Sequence, residues 1–299
     1  MADPLLLRIR CATVGAPDVD AVVDLYTKWL GYKVIERTEI DAATATSWGA
    51  PAMVGRASVL LQPANKLDVY LRVVGIDVVK NFRTLTTWGW GAIEILVDDP
   101  YKTHKKLTDS PFMIVGKPRP LNGFPTIHAM QVRGVANEVI YLTCDKGPRE
   151  TSLLEPAGAP VGRPFIMVVA GADPAAMQNW YAKHFKMAKN PISQTPIDVI
   201  QHAQGLPDDH QFSMGFMAMK GKSNYVELDG YPSGTGPRPR NHGQLPPGVA
   251  SATFAVASLD KIKLPFLAPP AKLKGKLYNG ARSATAVGPA GEIIELIEN

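Results

Sequence analysis

The sequence predicts an α+β protein built from four βαβββ modules that pair into two domains. Four helices are expected to begin directly after the N-cap residues Asp18, Asp99, Asp173 and Ser258. Successive caps lie 81, 74 and 85 residues apart. Four strands end on the same pattern of an apolar residue, a variable residue and leucine, with the variable position held by Tyr70, Tyr141, Glu227 and Glu295. A pattern that recurs at such intervals indicates an internal repeat.

The boundaries of the modules follow from local signals. The first helix carries an apolar stripe at Val19, Val22, Val23, Tyr26 and Leu30 and is expected to end at Gly31. We predict modules at about 6–75, 90–145, 164–230 and 249–299. A segment rich in Pro, Gly and Glu at 146–162 predicts a linker between an N-terminal domain (1–148) and a C-terminal domain (160–299).

Composition limits the kind of partner. A hydrophobic content of 45% with 20% charged residues is typical of a globular protein, and no apolar run reaches the length of about 18 residues that a membrane span requires. The net charge of +5 comes from scattered basic residues, which argues against nucleic-acid binding. Cys11 and Cys144 are too few for a disulfide framework, and no signal peptide is apparent. We expect a cytoplasmic protein that binds a small molecule, and the composition allows a homodimer.

Two segments carry a family resemblance. Residues 18–34 have an acidic cap, a helix and a Leu-Gly step into a strand, and residues 288–296 read Gly-Pro-Ala-Gly-Glu-Ile-Ile-Glu-Leu. Both resemble the vicinal-oxygen-chelate (VOC) superfamily of glyoxalases, bleomycin-resistance proteins and extradiol dioxygenases, whose last strand opens with Asp-Pro-Asp-Gly-Asn-x-Ile-Glu-Leu. The resemblance covers the whole chain as four modules and implies two glyoxalase-like domains with open-barrel cups. It implies less about activity, because the superfamily spans metalloenzymes, metal-free binders and antibiotic-sequestering proteins.

The resemblance also indicates where a metal would bind. Metal-dependent members carry a histidine on a module's first strand, seven residues before the helix cap, but those positions here are Cys11, Ala92, Ile166 and Ser251. Glutamate remains at the last-strand position only in Glu227 and Glu295. A transition-metal site needs about three protein ligands. We therefore expect no inherited metal and no cofactor; a divalent ion, if one binds, is expected near Glu227 and Glu295.

Strand alternation predicts the lining of the first cup, which the first two modules are expected to form. This cup receives the side chains of Cys11, Asp68, Tyr70, Arg72, Glu94 and Tyr141. Arg72 either clamps the carboxylate of a planar aromatic ligand or forms an internal ion pair with Asp68 or Glu94. His128, on a strand of the second module, either faces this cup or is a partly buried histidine bonded to the backbone.

The second cup is expected to contain Tyr225, Glu227, Ser251 and Glu295. Facing carboxylates repel each other and raise the pKa of one, which would suit Glu227 and Glu295 to general acid–base catalysis. The alternative is that they are remnants of a lost metal site or solvated acids at strand ends. The candidate catalytic residues are thus Glu94, His128, Tyr141, Glu227 and Glu295, and the candidate ligand-binding residues are Cys11, Asp68, Tyr70, Arg72, Tyr225 and Ser251.

Three classes of function remain open. One is a metal-independent lyase or isomerase that transfers a proton on a small aromatic or cyclic, anionic substrate, as in the catabolism of aromatic compounds. The second is a ligand-sequestering, resistance-type binding protein, and the third is a metal-dependent enzyme of the glyoxalase or extradiol dioxygenase kind. Clustering of ionisable groups in the cups favours the first class. Its ligand is expected in the first cup, on Arg72, Tyr70 and Tyr141.

Overall fold

The computed structural model describes residues 3–299, and strands dominate it. None of the helices in this range is long and apolar enough to cross a membrane. The first module consists of β1 (Leu6–Ala16), α1 (Val19–Leu25), β2 (Lys33–Glu39), β3 (Ala57–Gln62) and β4 (Tyr70–Gly75). The Asp18 carboxylate caps α1 by accepting from the backbone N–H of Ala21 at 3.0 Å. A π-helical turn, Tyr26–Leu30, continues α1, and Gly31 ends it with a left-handed φ of 77°, as predicted.

The first module also contains a second helix that the sequence analysis did not predict. This helix, α2 (Ala42–Ser47), lies between β2 and β3 and is followed by a 3-10 turn at Pro51–Met53. Asp41 caps it by accepting from the backbone N–H of Thr44 at 2.7 Å. An acidic cap before a short stretch of Ala and Thr is a weak helix signal, and the apolar stripe used to detect the other helices is absent here.

The other three modules repeat the plan. The second has β5 (Gly89–Val97), α3 (Pro100–Leu107), β6 (Met113–Leu121), β7 (Phe124–Arg133) and β8 (Val139–Asp145). The third has β9 (Val161–Gly171), α4 (Pro174–Phe185), β10 (Ser193–Thr195), α5 (Asp198–Gln204), β11 (Phe212–Ala218) and β12 (Tyr225–Gly230). The fourth has β13 (Gly248–Val256), a 3-10 turn (Leu259–Lys261), β14 (Ala271–Lys272), β15 (Arg282–Val287) and β16 (Ile293–Glu298). Asp99, Asp173 and Ser258 cap the helical turns of these modules, as predicted.

The strands form two eight-stranded sheets. The first has the order β14-β15-β16-β13-β1-β4-β3-β2, and the second has the order β10-β11-β12-β9-β5-β8-β7-β6. In every module the first and last strands pair in parallel, while the other neighbours are antiparallel. The predicted fold class, α+β with four βαβββ modules in two curled half-barrels, is confirmed.

The way the modules pair corrects the expected cups. Antiparallel pairing of β1 with β13 joins the first module to the fourth, and pairing of β5 with β9 joins the second to the third. The segment 146–162 therefore connects the second and third modules, which belong to the same sheet. Each of the predicted domains, 1–148 and 160–299, contributes one module to each sheet. The first strands of all four modules are similarly apolar, so their local sequence does not specify which strand each one meets.

The largest hydrophobic core packs against one face of each sheet. Ala12 and Val14 of β1, Ile93 and Ile95 of β5 and Met167 of β9 belong to one buried cluster that also includes apolar residues of α1 and α4. Alternate residues of a strand face opposite sides of the sheet. Thr13 and Glu94, which lie between core residues, therefore project toward the concave side of their sheets, where the candidate sites lie.

Candidate functional site

A buried ion pair occupies the concave face of the first sheet, called here the closed cup. Arg72 Nη2 lies 2.9 Å from Glu295 Oε2, and the two side chains are 4% and 0% exposed. Glu295 also accepts hydrogen bonds from Thr253 at 2.7 Å, from the Trp48 indole at 2.8 Å and from the Tyr278 hydroxyl at 2.7 Å. Burial alone would raise the pKa of Glu295, but the Arg72 charge and these donors outweigh it and lower the pKa.

Arg72 is fully engaged by the protein. Its Nε donates to Thr13 at 3.0 Å and its Nη1 to the Tyr278 hydroxyl at 2.9 Å, and its guanidinium lies 4.5 Å from the centre of the Trp48 ring. Each guanidinium nitrogen thus already donates to a side chain. The sequence left two roles open for Arg72, a clamp for a ligand carboxylate and an internal ion pair. The structure shows the ion pair, but its partner is Glu295 rather than Asp68 or Glu94.

The closed cup is covered by α2 and by the loop before β15. Trp48, which follows α2, and Tyr278 from that loop are both buried above Arg72. A cavity of about 250 Å³ adjoins them, and its lining includes Arg72, Lys274 and the carboxylates of Glu36, Glu39 and Asp41. Because Arg72 is already paired with Glu295 and the three carboxylates outnumber Lys274, the arrangement does not favour the anionic ligand that the sequence placed on Arg72.

The other residues predicted for the first cup also bond within the protein. Asp68 is half-exposed and forms ion pairs with Arg8, at 2.8 Å, and Arg10. The Tyr70 hydroxyl donates to Asp68 at 2.8 Å. Cys11 is enclosed, and burial raises the pKa of its thiol to about 12. Ser251, predicted for the second cup, lies in the first sheet opposite Thr13.

Three carboxyl groups form an acid cluster on the concave face of the second sheet, called here the open cup. Glu94 extends from β5, and Glu227 and Asp229 extend from β12. The Glu227 carboxyl group adjoins those of Glu94 and Asp229, and all three residues are buried. Thr143 of β8 donates to Glu94 Oε2 at 3.1 Å.

The acid cluster holds protons near neutral pH. Burial raises the pKa of Glu94 and of Asp229 to about 7. Burial, together with the charges of Asp229 and Glu94, raises the pKa of Glu227 further. A hydrogen bond between two carboxyl groups requires one proton. The three acids therefore keep protons near neutral pH and gain negative charge as the pH rises.

A cavity of about 310 Å³ lies above the acid cluster. Its walls are largely apolar and include Leu154, Phe165, Ile166, Phe216 and Tyr225, while Glu94, Tyr141 and Glu227 line it from the sheet. At its edge, Arg119 of β6 forms an ion pair of 2.8 Å with Asp198 of α5. An apolar pocket with a few convergent polar groups is the usual form of a small-molecule site.

The Tyr141 hydroxyl is the least satisfied polar group of this cavity. It is buried and makes no hydrogen bond to any residue within 3–299. Burial and then the charge of Asp229 raise the pKa of Tyr141 well above its ordinary value, so the hydroxyl keeps its proton. An unpaired buried hydroxyl is costly, and it can be satisfied by a group that enters the cavity.

Four predicted site residues meet in the open cup, although the sequence distributed them over two cups. Glu94, Tyr141, Tyr225 and Glu227 all line its cavity. His128 does not: its strand neighbours Ile127 and Ala129 line the cavity, whereas its Nδ1 bonds to the hydroxyl of Tyr101 at 2.8 Å.

Glu227 and Glu295, predicted to face each other, lie on different sheets. They were assigned to one cup only because the third and fourth modules were expected to pair. Strand alternation also places Asp229, two residues after Glu227 in β12, in the second cup, but the sequence analysis assigned it no catalytic or binding role.

Solved structures are similar to this chain over nearly its full length. Glyoxalase I from Zea mays is 15% identical and aligns with a TM-score of 0.64, covering 97% of this chain and 92% of that one. A putative dioxygenase from Bacillus subtilis is 9% identical, with a TM-score of 0.63 and coverage of 99% and 86%. The chain has the vicinal-oxygen-chelate fold. No protein-family model and no curated protein matches the sequence, and identities this low establish the fold alone.

The VOC fold brings the expected metal-ligand positions together in two sets. The closed cup gathers Cys11, Tyr70, Ser251 and Glu295, and the open cup gathers Ala92, Tyr141, Ile166 and Glu227. No histidine lines either cavity, and residues 3–299 contain no group of three or more His, Cys, Asp or Glu arranged to hold a metal ion. Glu227 and Glu295 cannot share an ion, because they lie in different cups. These residues do not fit the metal site implied by the VOC resemblance.

Proposed function

We propose that the open cup binds a small cyclic or aromatic molecule and transfers a proton on it, as a metal-independent lyase or isomerase. The observation that carries this proposal is the placement of the neighbouring carboxyl groups of Glu94 and Glu227 beneath an apolar cavity of about 310 Å³. The catabolism of aromatic or other cyclic compounds would supply such substrates.

The walls of the cavity suit the body of such a molecule. Phe165, Phe216 and Ile166 offer apolar and aromatic surface, and burial of a ring against it contributes about 25 cal/mol for each Å² removed from water. The Arg119–Asp198 pair at the edge joins β6 to α5, so it links the two modules that form the cavity.

The acid cluster supplies the catalytic groups. Glu227 holds its proton most tightly and is suited to donate it or to hydrogen-bond a developing negative charge. Glu94 is ionised more readily and, with one oxygen accepting from Thr143, is suited to remove a proton. Asp229 does not line the cavity and serves to share charge with Glu227. Environments that separate the pKa values of neighbouring acids are typical of acid–base sites.

The open cup does not suit the anionic substrate expected from the sequence. A cluster that retains a negative charge repels an anion, and the guanidinium that was to attract one, Arg72, is bonded to Glu295 in the other cup. The closed cup is therefore assigned a structural role.

Isotope exchange provides the test, since it detects proton transfer before the complete reaction is known. The protein is incubated in deuterium oxide with acetophenone and a panel of small cyclic ketones, and deuterium uptake at carbon is followed by NMR. We expect Glu94→Gln to lower the exchange rate by about a hundredfold or more. Glu36→Gln, at the rim of the closed cup, is the matched control and should leave the rate unchanged. Binding of the panel without any exchange would instead indicate a ligand-sequestering protein.

A further inference from the structure

We infer that the open cup selects uncharged carbonyl compounds, whose oxygen accepts hydrogen bonds from the Tyr141 hydroxyl and the Glu227 carboxyl group. This inference rests on the proposed function and adds to it the chemical class of the substrate. It depends on three features of the cavity: an unpaired donor, the sign of the charges that face it, and the position of the base.

The unpaired donor is Tyr141. Its side chain lines the cavity, and its buried hydroxyl has no hydrogen-bond partner within residues 3–299. Glu94 lies beside it, because residues 94 and 141 are partners in the parallel pairing of β5 with β8. A ligand that carries an acceptor satisfies this hydroxyl, whereas a hydrocarbon leaves it unpaired.

The charges that face the cavity exclude an anion. Glu94 and Glu227 line the cavity, Asp229 adjoins Glu227, and Asp198 stands at the edge. The one cationic side chain in the lining, Arg119, is half-exposed and already paired with Asp198. A carboxylate ligand would therefore meet negative charge without a free cation to balance it.

An ammonium ligand is also a poor match. It offers only donors, so it would leave the O–H of Tyr141 without an acceptor. A carbonyl oxygen has two lone pairs and no proton, so it accepts from Tyr141 and, once the proton of Glu227 turns from Glu94 toward the cavity, from Glu227 as well.

The arrangement defines a balanced proton-transfer step. The Glu94 carboxylate takes a proton from the carbon next to the carbonyl, and the electron pair of that C–H bond forms a C=C bond. The carbonyl π pair moves to oxygen, where Tyr141 and Glu227 stabilise the enolate by hydrogen bonding. A tyrosine with a protonated carboxylic acid in an apolar site is an established way to stabilise such an oxyanion. Return of the proton from Glu94 to the same carbon or to a conjugated one completes exchange or isomerisation without a redox partner.

Four probes of similar shape test the inference: acetophenone, phenylacetate, benzylamine and ethylbenzene. We expect acetophenone to bind about tenfold or more tightly than each of the others, as measured by calorimetry, because it alone satisfies the donors. Its C=O stretching band should move to lower frequency on binding. Tyr141→Phe should weaken acetophenone binding about tenfold and return the band toward its position in water, whereas ethylbenzene binding should not change. Tyr101→Phe, which alters an exposed tyrosine outside the cavity, is the matched control and should leave affinity and band position unchanged.

The outcomes separate this inference from the proposed function. If phenylacetate or benzylamine binds as tightly as acetophenone, or if Tyr141→Phe leaves both affinity and band position unchanged, the substrate class is wrong while a ligand site remains. If no probe binds to the wild-type protein, the proposed function fails as well. Deuterium exchange into phenylacetate but not acetophenone would support proton transfer and overturn the carbonyl selectivity.

Discussion

The hydroxyl of Tyr26 donates a hydrogen bond of 2.8 Å to Glu138 Oε1, and both groups are buried. This bond joins the helix of the first module to the turn before β8 in the second module. Tyr181 of α4 makes the equivalent bond to Glu292, before β16, at 2.9 Å. A tyrosine–glutamate pair thus joins the first module to the second, and another joins the third to the fourth. In both cases the joined modules belong to different sheets.

These pairs should stabilise the fold. Tyr26→Phe leaves the buried carboxyl group of Glu138 with one donor fewer, so we expect the free energy of unfolding to fall by about 1–3 kcal/mol in urea denaturation. Tyr181→Phe should have the same effect through Glu292. The control is Tyr101→Phe, whose hydroxyl bonds to His128 at an exposed position and should cost little. Equal stability of all three variants would show that the buried pairs contribute nothing net.

The same pairs predict a pH dependence of stability. Burial raises the pKa of both Glu138 and Glu292 to about 7, above their ordinary value of 4.5. Between these pH values the folded state binds more protons than the unfolded state, so their contribution to stability is full below about 4.5 and is lost as pH rises through about 7.

Urea titrations across this pH range check that prediction by comparison with Glu138→Gln. The amide does not titrate, so the free energy of unfolding of this variant should fall less steeply with pH than that of the wild type. Glu36→Gln, at a surface position, should keep the wild-type slope. Parallel curves for Glu138→Gln and the wild type would contradict the assignment.

The repeated turns at these glutamates explain how much of the fold the sequence could predict. Gly134-Val-Ala-Asn-Glu138 and Gly288-Pro-Ala-Gly-Glu292 share their spacing, and a Cβ atom at Gly134 or Gly288 would lie 1.8 or 2.0 Å from a carboxylate oxygen of the glutamate. Such local constraints appear in the sequence as a motif, as do the helix caps and strand ends from which the four modules were predicted.

The pairing of modules and the candidate site depend on contacts that leave no local signal. Arg72 and Glu295 are 223 residues apart, and each is placed by strand alternation only on the concave face of its own strand. They share a cup because β1 pairs with β13, which joins the first module to the fourth. Likewise, strand alternation places Glu94 and Glu227 on the concave faces of their own strands, but it does not show that those faces belong to one sheet.

Cleavage between 146 and 162 should test the observed pairing. The sequence favoured two fragments that each stay folded, whereas β5 pairs with β9 across this segment and β1 pairs with β13. We expect the nicked protein to remain one particle in size-exclusion chromatography and each fragment, separated in urea, to lose its folded circular dichroism. Two independently folded fragments would contradict the topology.

The Arg72–Glu295 pair should dominate the stability of the closed cup. Arg72→Met leaves Glu295 buried without its cation, and we expect a loss of about 3–5 kcal/mol in the free energy of unfolding. Adding Glu295→Gln to this variant should recover part of the loss, because the buried charge is removed. At the exposed Arg37–Asp20 pair, Arg37→Met should change stability by less than about 1 kcal/mol. A small effect of Arg72→Met would mean that water reaches Glu295.

The last prediction concerns the hydrogen bond from Thr143 to Glu94 in the open cup. This bond stabilises the ionised form of Glu94 and opposes the burial that raises its pKa to about 7. The charged or titratable groups that face Glu94 or its cavity are Arg119, Tyr141, Asp198, Tyr225, Glu227 and Asp229. Because the base acts as a carboxylate, the rate of deuterium exchange into acetophenone should rise with pH through about 7 and fall again when Glu227 loses its proton.

Thr143→Val keeps the shape of the side chain and removes the donor, so the rising limb of this profile should move to higher pH by about one unit. Thr253→Val is the matched control, since Thr253 makes the equivalent bond to Glu295 in the closed cup, and its profile should coincide with that of the wild type. A profile that shifts in Thr253→Val but not in Thr143→Val would place the catalytic acid in the closed cup. An unchanged midpoint in both variants would show that Glu94 is not the base.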